Sequence, residues 1–254
     1  MRTVLITGAS SGIGQACATV LAGESSYRLL LCARRLQRLE ELKETLLRQY
    51  PSCDIFCFEL DVRDRAAVEQ TLASLPEEWK AIDVLINNAG LSQGLNAIQD
   101  GDTGDWDRMI DTNVKGLLYV TKYTEPLMRN SENAHIINIG SIAGKEVYPN
   151  GNVYCATKHA VDALTQAMRI DLLEKGIRVS SIDPGMVETE FSEVRFKGDK
   201  ELAKNVYKGL TPLSGTDIAE IIAFMLSRPA HVNINDLLVM PTAQATATIV
   251  KRDD

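Results

Sequence analysis

Short, continuously apolar runs alternate with helix-spaced segments along almost the whole of this 254-residue chain, and that alternation limits the folds open to it. The runs are Val4–Thr7, Arg28–Cys32, Asp54–Leu60, Val84–Asn87, His135–Ile139, Arg178–Ile182 and Asp236–Met240. An unbroken apolar run reads as a strand buried on both faces, where a half-exposed strand would alternate. Between the second and third, Leu36, Leu39, Leu42 and Leu46 stripe one face of a helix. Helical stretches also follow Gly12, Asp64, Thr103, Gly151 and Thr216. This order implies right-handed crossovers, so we expect an α/β fold: a doubly wound parallel sheet of about seven strands with helices on both faces. Such folds run to about 250 residues as one domain. No linker rich in Pro, Gly or Ser interrupts the chain, so residues 1–254 are expected to form a single domain.

In a sheet of this kind ligands bind beyond the carboxyl ends of the strands, so the residues just after each run carry the search. After the first comes Thr7-Gly8-Ala9-Ser10-Ser11-Gly12-Ile13-Gly14, opening into a helix. Three glycines allow close backbone approach, and a helix N-terminus offers free N–H donors to a pyrophosphate. The spacing is GxxxGxG, and its place between strand and helix points to a Rossmann-type dinucleotide site. After the second run, where an NAD site usually carries an acid for the ribose 2′-hydroxyl, stand Ala33, Arg34 and Arg35. Guanidinium groups suit a 2′-phosphate, so NADP(H) is the expected cofactor, with Ser10 able to add a hydroxyl. Both arginines could instead simply solvate the following helix. After the third run, Asp61 could accept from the adenine amino group with Val62 packing on the ring, or Asp61 could cap the next helix. Asn87-Asn88-Ala89-Gly90 follows the fourth and could be only a turn.

Gly140-Ser141 ends the fifth run, and thirteen residues later the pattern Tyr154-Cys155-Ala156-Thr157-Lys158 begins. On a helix this i, i+4 spacing sets the Lys158 ammonium near the Tyr154 phenol. An ordinary tyrosine pKa near 10 is too high for proton transfer at neutral pH, a gap of about 4 kcal/mol. One cation at ~4 Å and an effective dielectric of ~20 supplies about that much, so no metal is called for. Ser141 sits in Gly-Ser-Ile-Ala-Gly rather than GxSxG, and nothing marks His135, His159 or His231 as a base, so a serine hydrolase is not supported.

With 27 basic and 34 acidic residues the net charge is −7. That balance argues against nucleic acid or an anionic membrane surface as partner. No apolar window approaches a membrane span, and the N-terminus lacks a signal-peptide pattern. The five cysteines, 17, 32, 53, 57 and 155, form no CxxC pair and read as free thiols in a reducing cytosol, so a cytoplasmic protein is expected.

Thr7–Gly14, Asn87–Gly90, Asn113, Ser141, Tyr154, Lys158 and Pro184-Gly185 together resemble, in order, the short-chain dehydrogenase/reductase family over residues 1 to about 190. The resemblance implies hydride transfer between a nicotinamide and a carbonyl or alcohol, with Tyr154 as acid/base. It gives Lys158 the nicotinamide ribose and the lowering of the Tyr154 pKa, Ser141 the substrate oxygen, and Asn113 a proton-relay water. It assigns Gly8, Ser11, Gly12, Ile13, Gly14, Asn87, Ala89 and Gly90 to the cofactor, and sets Pro184, Gly185, Val187 and Thr189 beside the nicotinamide. Cys155 and Thr157 differ from the commonest residues there, but both are small. The segment Glu190–Asp199, with Pro229–Asn235 and Ala33-Arg34-Arg35, resembles the NADP-dependent 3-hydroxy acid (serine) dehydrogenase group. The substrate loop is then about 186–212, where Arg195 and Lys197 could hold a carboxylate or form a basic stretch or subunit contact. Members of this shape are usually homotetramers. Other ketones, sugars or β-ketoacyl substrates, and a non-catalytic dinucleotide-binding regulator, are the competing readings.

Overall fold

The computed structural model describes residues 1–253. Seven parallel strands form its main sheet, in the order β3-β2-β1-β4-β5-β6-β9. These strands are β1 (Arg2–Thr7), β2 (Tyr27–Ala33), β3 (Ile55–Glu59), β4 (Val84–Asn87), β5 (His135–Ile139), β6 (Arg178–Pro184) and β9 (Asp236–Val239). The sequence runs differ from them by at most two residues at an end. Strand order reverses between β1 and β4, whose residues Val4 and Val84 are in register. The crevice between the loops that leave these two strands is where such a fold receives ligands.

Each strand presents alternate residues to opposite faces, and both faces are covered. Val4 and Ile6 of β1 pack under α1 (Gly12–Ala22), α2 (Leu36–Gln49) and α9 (Gly215–Leu226). Leu5 between them belongs to the other layer, with α3 (Arg65–Ala73), α5 (Leu117–Met128) and α6 (Asn152–Asp171). Leu39, Leu42 and Leu46 of α2 are buried as their spacing requires, while Leu36 at its first turn is exposed. Burying each such side chain contributes about 1.5–3 kcal/mol.

One small element was not legible in the sequence. β7 (Val187–Glu188) pairs in parallel with β8 (Leu213–Ser214) and so closes the base of the 186–212 segment. Within that segment lie α7 (Phe191–Arg195) and α8 (Lys200–Asn205). Ahead of α5, α4 (Thr103–Ile110) runs into a π-helical turn, Asp111–Gly116, which contains Asn113. Among the described residues no helix is long and apolar enough to cross a membrane. Cys17, Cys32, Cys53 and Cys155 are buried thiols and Cys57 is half-buried.

Candidate active site

A cavity of about 630 Å³ lies along the carboxyl edge of the sheet, a size suited to a small ligand or cofactor site. One end is the glycine loop. Gly8 and Gly12 hold left-handed φ of +66° and +57°, where glycine carries no steric cost. A Cβ on Gly14 would stand 2.4 Å from Asn88 Nδ2 and 2.6 Å from the Gly8 carbonyl oxygen, so only glycine fits. The Asn88 amide donates to the carbonyls of Thr7 and Gly8, which ties the loop after β4 to the loop after β1. Among the described residues, side chains of Asp64, Asp102, Asp199 and Ser214 cap α3, α4, α8 and α9, whereas α1, like α2, α5, α6 and α7, starts without a side-chain cap. The first-turn N–H groups of α1 are therefore free for an anion, beside residues 10–13 of the cavity wall.

Arg34 and Arg35 line the same end with Ser10, Asp61 and Val62. Arg35 Nη2 donates to Ser10 Oγ at 3.2 Å and Ser11 Oγ at 3.0 Å, so the second basic strand end meets the first glycine loop. Asp61 does not cap the next helix; Asp64 does, accepting from Ala67 N–H at 3.0 Å. Asp61 instead takes a bidentate contact from Arg63, whose hydrogen bonds hold its carboxyl below the usual range against the opposing effect of burial. Asn87 corrects an expectation. Its side chain turns inward to Thr121 and Asn138 at 2.9 Å each and forms no part of the cavity wall. A strand-end asparagine can cross-link β4 to β5 from inside the sheet as readily as it can face a ligand.

At the other end α6 brings in Tyr154 and Lys158, both buried. Lys158 Nζ lies 6.0 Å from the Tyr154 ring centroid and donates to the Ile139 carbonyl at 2.8 Å. Burial lowers the Lys158 pKa to about 8, opposed by the Asp183 carboxylate. Ser141 follows β5. Its N–H donates to Asp183 Oδ1 at 3.1 Å, and its hydroxyl accepts from Ala143 N–H. Burial pushes the Tyr154 pKa up, while Arg195 and a hydrogen bond with Ser141 pull it back.

Arg195 is the cation best placed over the phenol. Its guanidinium carbon is 5.2 Å from the centroids of both Tyr154 and Phe191, and its Nε and Nη2 donate to Ser92 Oγ and Tyr148 Oη. No carboxylate partners it within ion-pair distance among the described residues. Lys197 is excluded from the site, because it turns outward to Asp105 at 2.8 Å and Asp102 at 3.6 Å. Its backbone is left-handed, φ 54°, which carries it past the end of α7.

Asn113 does not reach the cavity wall. Its carboxamide is engaged by Leu91 N–H, the Leu91 carbonyl and Thr157 Oγ1, all within 3.0 Å. Gly90, Ala89, Pro184, Gly185, Val187 and Thr189 line the cavity. Sequence reasoning missed Ser92, Tyr148 and Phe191, which come from three separate segments and carry no local motif. It also missed Gln244, whose Oε1 accepts from Met186 N–H and braces the 186–212 segment from the C-terminal tail.

A family profile described as short chain dehydrogenase matches residues 2–200. A NADP-dependent 3-hydroxy acid dehydrogenase of Schizosaccharomyces pombe is 45% identical over 251 residues, 99% of this chain and 96% of that protein. Sulfoacetaldehyde reductase 2 of Chromohalobacter salexigens is 44% identical over 252 residues, 98% of each chain. Among solved structures, the closed form of serine dehydrogenase complexed with NADP+ matches with a TM-score of 0.92 and 42% identity over the full length of both chains. With the glycine loop, the serine, tyrosine and lysine gathered on one cavity of a seven-stranded sheet, the chain belongs to the short-chain dehydrogenase family.

Proposed function

We propose that this protein is an NADP(H)-dependent oxidoreductase of small 3-hydroxy acids and the corresponding semialdehyde acids. The observation that carries the reading is Arg195, a cation set over the Tyr154 ring inside the cavity and without a carboxylate partner among the described residues. The NADP dependence and 3-hydroxy acid substrates named for relatives at 44–45% identity point the same way.

The residues at the phosphate end fit the dinucleotide. The uncapped α1 and the Gly8–Gly14 cradle, which a Cβ would fill, suit a pyrophosphate, and Arg34, Arg35 and Ser10 suit a 2′-phosphate. When bound, NADPH supplies a hydride to a carbonyl carbon and NADP+ accepts one from an alcohol. In reduction, Tyr154 Oη gives its proton to the carbonyl oxygen as that oxygen gains charge: the tyrosine O–H bond breaks and the alcohol O–H forms. Oxidation runs the same transfer backwards. Ser141 Oγ holds the reacting oxygen, and the cations Lys158 and Arg195 stabilise the tyrosinate left behind. Arg195 pairs with the substrate acid group through the donors it turns to the cavity, and Phe191 excludes water from above. Asn113 acts at one remove in this scheme, by fixing Leu91 and Thr157 around the lysine. Residues 1–254 act as one catalytic domain in the cytoplasm, and the protein is a homotetramer, as its resemblance to the 3-hydroxy acid dehydrogenase group implies.

The test is NADPH oxidation with a panel of semialdehyde acids, a sulfonated aldehyde, β-keto acids and neutral ketones. Preference for small acids over neutral ketones by at least about tenfold in kcat/KM is expected, since one charge-assisted contact is worth about 1.5–3 kcal/mol. A preference for neutral ketones, or equal use of NADH, overturns the reading.

A further inference from the structure

Glu190, the residue just before α7, has no part in the chemistry above, yet it joins the two ends of the cavity. Its Oε1 and Oε2 accept from Arg38 Nη1 at 2.8 and 3.0 Å, and Oε2 also accepts from Arg35 Nη1 at 3.2 Å. Arg35 is at the same time bound to Ser10 and Ser11 of the glycine loop. The bridge spans about 150 residues of sequence, from the second strand–helix junction to the substrate segment. Burial raises the Glu190 pKa, but the bonds from Arg38 and Arg35 outweigh it and keep the carboxylate charged. Directly after Glu190 come Phe191, whose ring centroid is 5.6 Å from that of Tyr154, and, at the end of the same short helix, Arg195. The helix is tied at its middle only to its own segment, through Ser192 and Tyr207. Its end is held by Gly94 N–H on the Arg195 carbonyl and by the Arg195 donors on Ser92 and Tyr148, while at its start the Phe191 ring packs on Tyr154 and Glu190 supplies the charged contact to the body of the protein.

We propose that Glu190 is a positioning residue for the substrate: with Arg38 it latches the start of α7 to the phosphate end of the cavity and so holds Phe191 and Arg195 over Tyr154. Arg38 makes the closer contact of the latch, Arg35 is shared between Glu190 and the 2′-phosphate, and Arg34 is left to the 2′-phosphate; the inference rests on the cofactor reading above. Glu190 thus has opposite effects on the two ligands. Its charge repels a 2′-phosphate held by the neighbouring Arg35, while its grip on α7 favours the substrate acid.

The test compares Glu190→Gln, Arg38→Met and the exchanged pair Glu190→Arg/Arg38→Glu with the unmodified protein. Three readouts are taken: calorimetric affinity for 2′,5′-ADP, amide hydrogen exchange over residues 190–196 in the free protein, and KM and kcat for the acid substrate. Glu190→Gln is expected to bind 2′,5′-ADP about two- to fivefold more tightly, the scale of an exposed charge pair. It is expected to exchange faster across α7 and to raise substrate KM more than it lowers kcat. Arg38→Met should share the faster exchange and the raised KM, and the exchanged pair should recover both. A structural defect would instead weaken both ligands together. The proposal is overturned if Glu190→Gln leaves α7 exchange unchanged, or moves both affinities in one direction. It is equally overturned if Arg38→Met weakens 2′,5′-ADP by more than about tenfold, the cost of a direct phosphate contact. Failure of the unmodified protein to prefer 2′,5′-ADP over 5′-AMP would sink the cofactor reading instead, and the exchange measurement would still decide the latch.

Discussion

Replacing Tyr154 with Phe removes one oxygen and leaves the ring packed against Phe191, so the proton is separated from the packing. The expected outcome is loss of at least about 99% of turnover, the scale of one general acid, with NADPH affinity within about threefold of the unmodified protein. Single-turnover rates with fluorescence titration of NADPH check both. Arg195 invites a substrate-dependent comparison. Arg195→Ala leaves a substrate carboxylate unpaired in a partly dry cavity and should cost roughly 2–4 kcal/mol in kcat/KM with a 3-hydroxy acid. With a neutral ketone the loss should be much smaller, and equal losses would give Arg195 a purely structural role. The tyrosine and lysine were legible because they share one helix at a spacing that fixes their relation. The aromatic stack under Arg195 was not, because Tyr148, Tyr154 and Phe191 converge only through the fold.

At the scale of elements, strands were readable where burial on both faces writes an apolar run, as along Val4–Ile6 and Val84–Ile86, whereas β6 is buried at every position yet carries Arg178, Ser180, Ser181 and Asp183. β7 and β8 are two residues each, too short to leave a pattern, and they exist because the ends of the 186–212 segment meet. Asn87 and Lys197 show the converse: local chemistry offered Asn87 to the cofactor and Lys197 to either a carboxylate or a basic stretch, and the fold engages Asn87 with Thr121 and Asn138 and Lys197 with Asp105. The π-helical turn before α5 yields a prediction. A Cβ on Gly116 would stand 2.7 Å from Val62 Cγ2, and Val62 lines the cavity at the end that holds Arg34 and Asp61. Gly116→Ala should therefore cost about 1–3 kcal/mol in strain. It should raise KM for NADPH more than it lowers kcat, and calorimetry should show a fall of several degrees in Tm.

Across the whole molecule the two edges of the sheet have different duties. The carboxyl edge holds the cavity, while the opposite edge buries His135 with its Nε2 on Ser180 at 2.7 Å. Burial, reinforced by the Arg178 and Arg2 cations, lowers the His135 pKa from 6.5 to about 3. The unfolded chain takes up that proton below pH 6.5 and the folded chain does not, so His135 weakens the fold progressively as pH falls from 6.5 toward 3. The loss has an upper bound of about 5 kcal/mol at the acid end. Tm followed from pH 7 to pH 4 should fall less steeply in His135→Gln than in the unmodified protein, whatever the starting stability of the variant. A parallel slope would assign acid sensitivity to other groups.

The strand order has a further consequence, which concerns synthesis. β1 lies inside the sheet, beside its middle strand β4, but is made first, and that partner begins only at residue 84. At ~5–20 residues per second a ribosome takes roughly 4–16 s to supply that partner. Until then a nascent chain can pair β1 with β2 on one side, while the hydrogen-bonding groups along Val4, Leu5 and Ile6 stay open on the other. An apolar, unpaired strand edge is a template for any other strand. The crevice that makes the finished protein a binding site is thus a seam that stays open until β4 emerges, and over that interval the growing chain is exposed to aggregation at the place where the mature molecule meets its ligand.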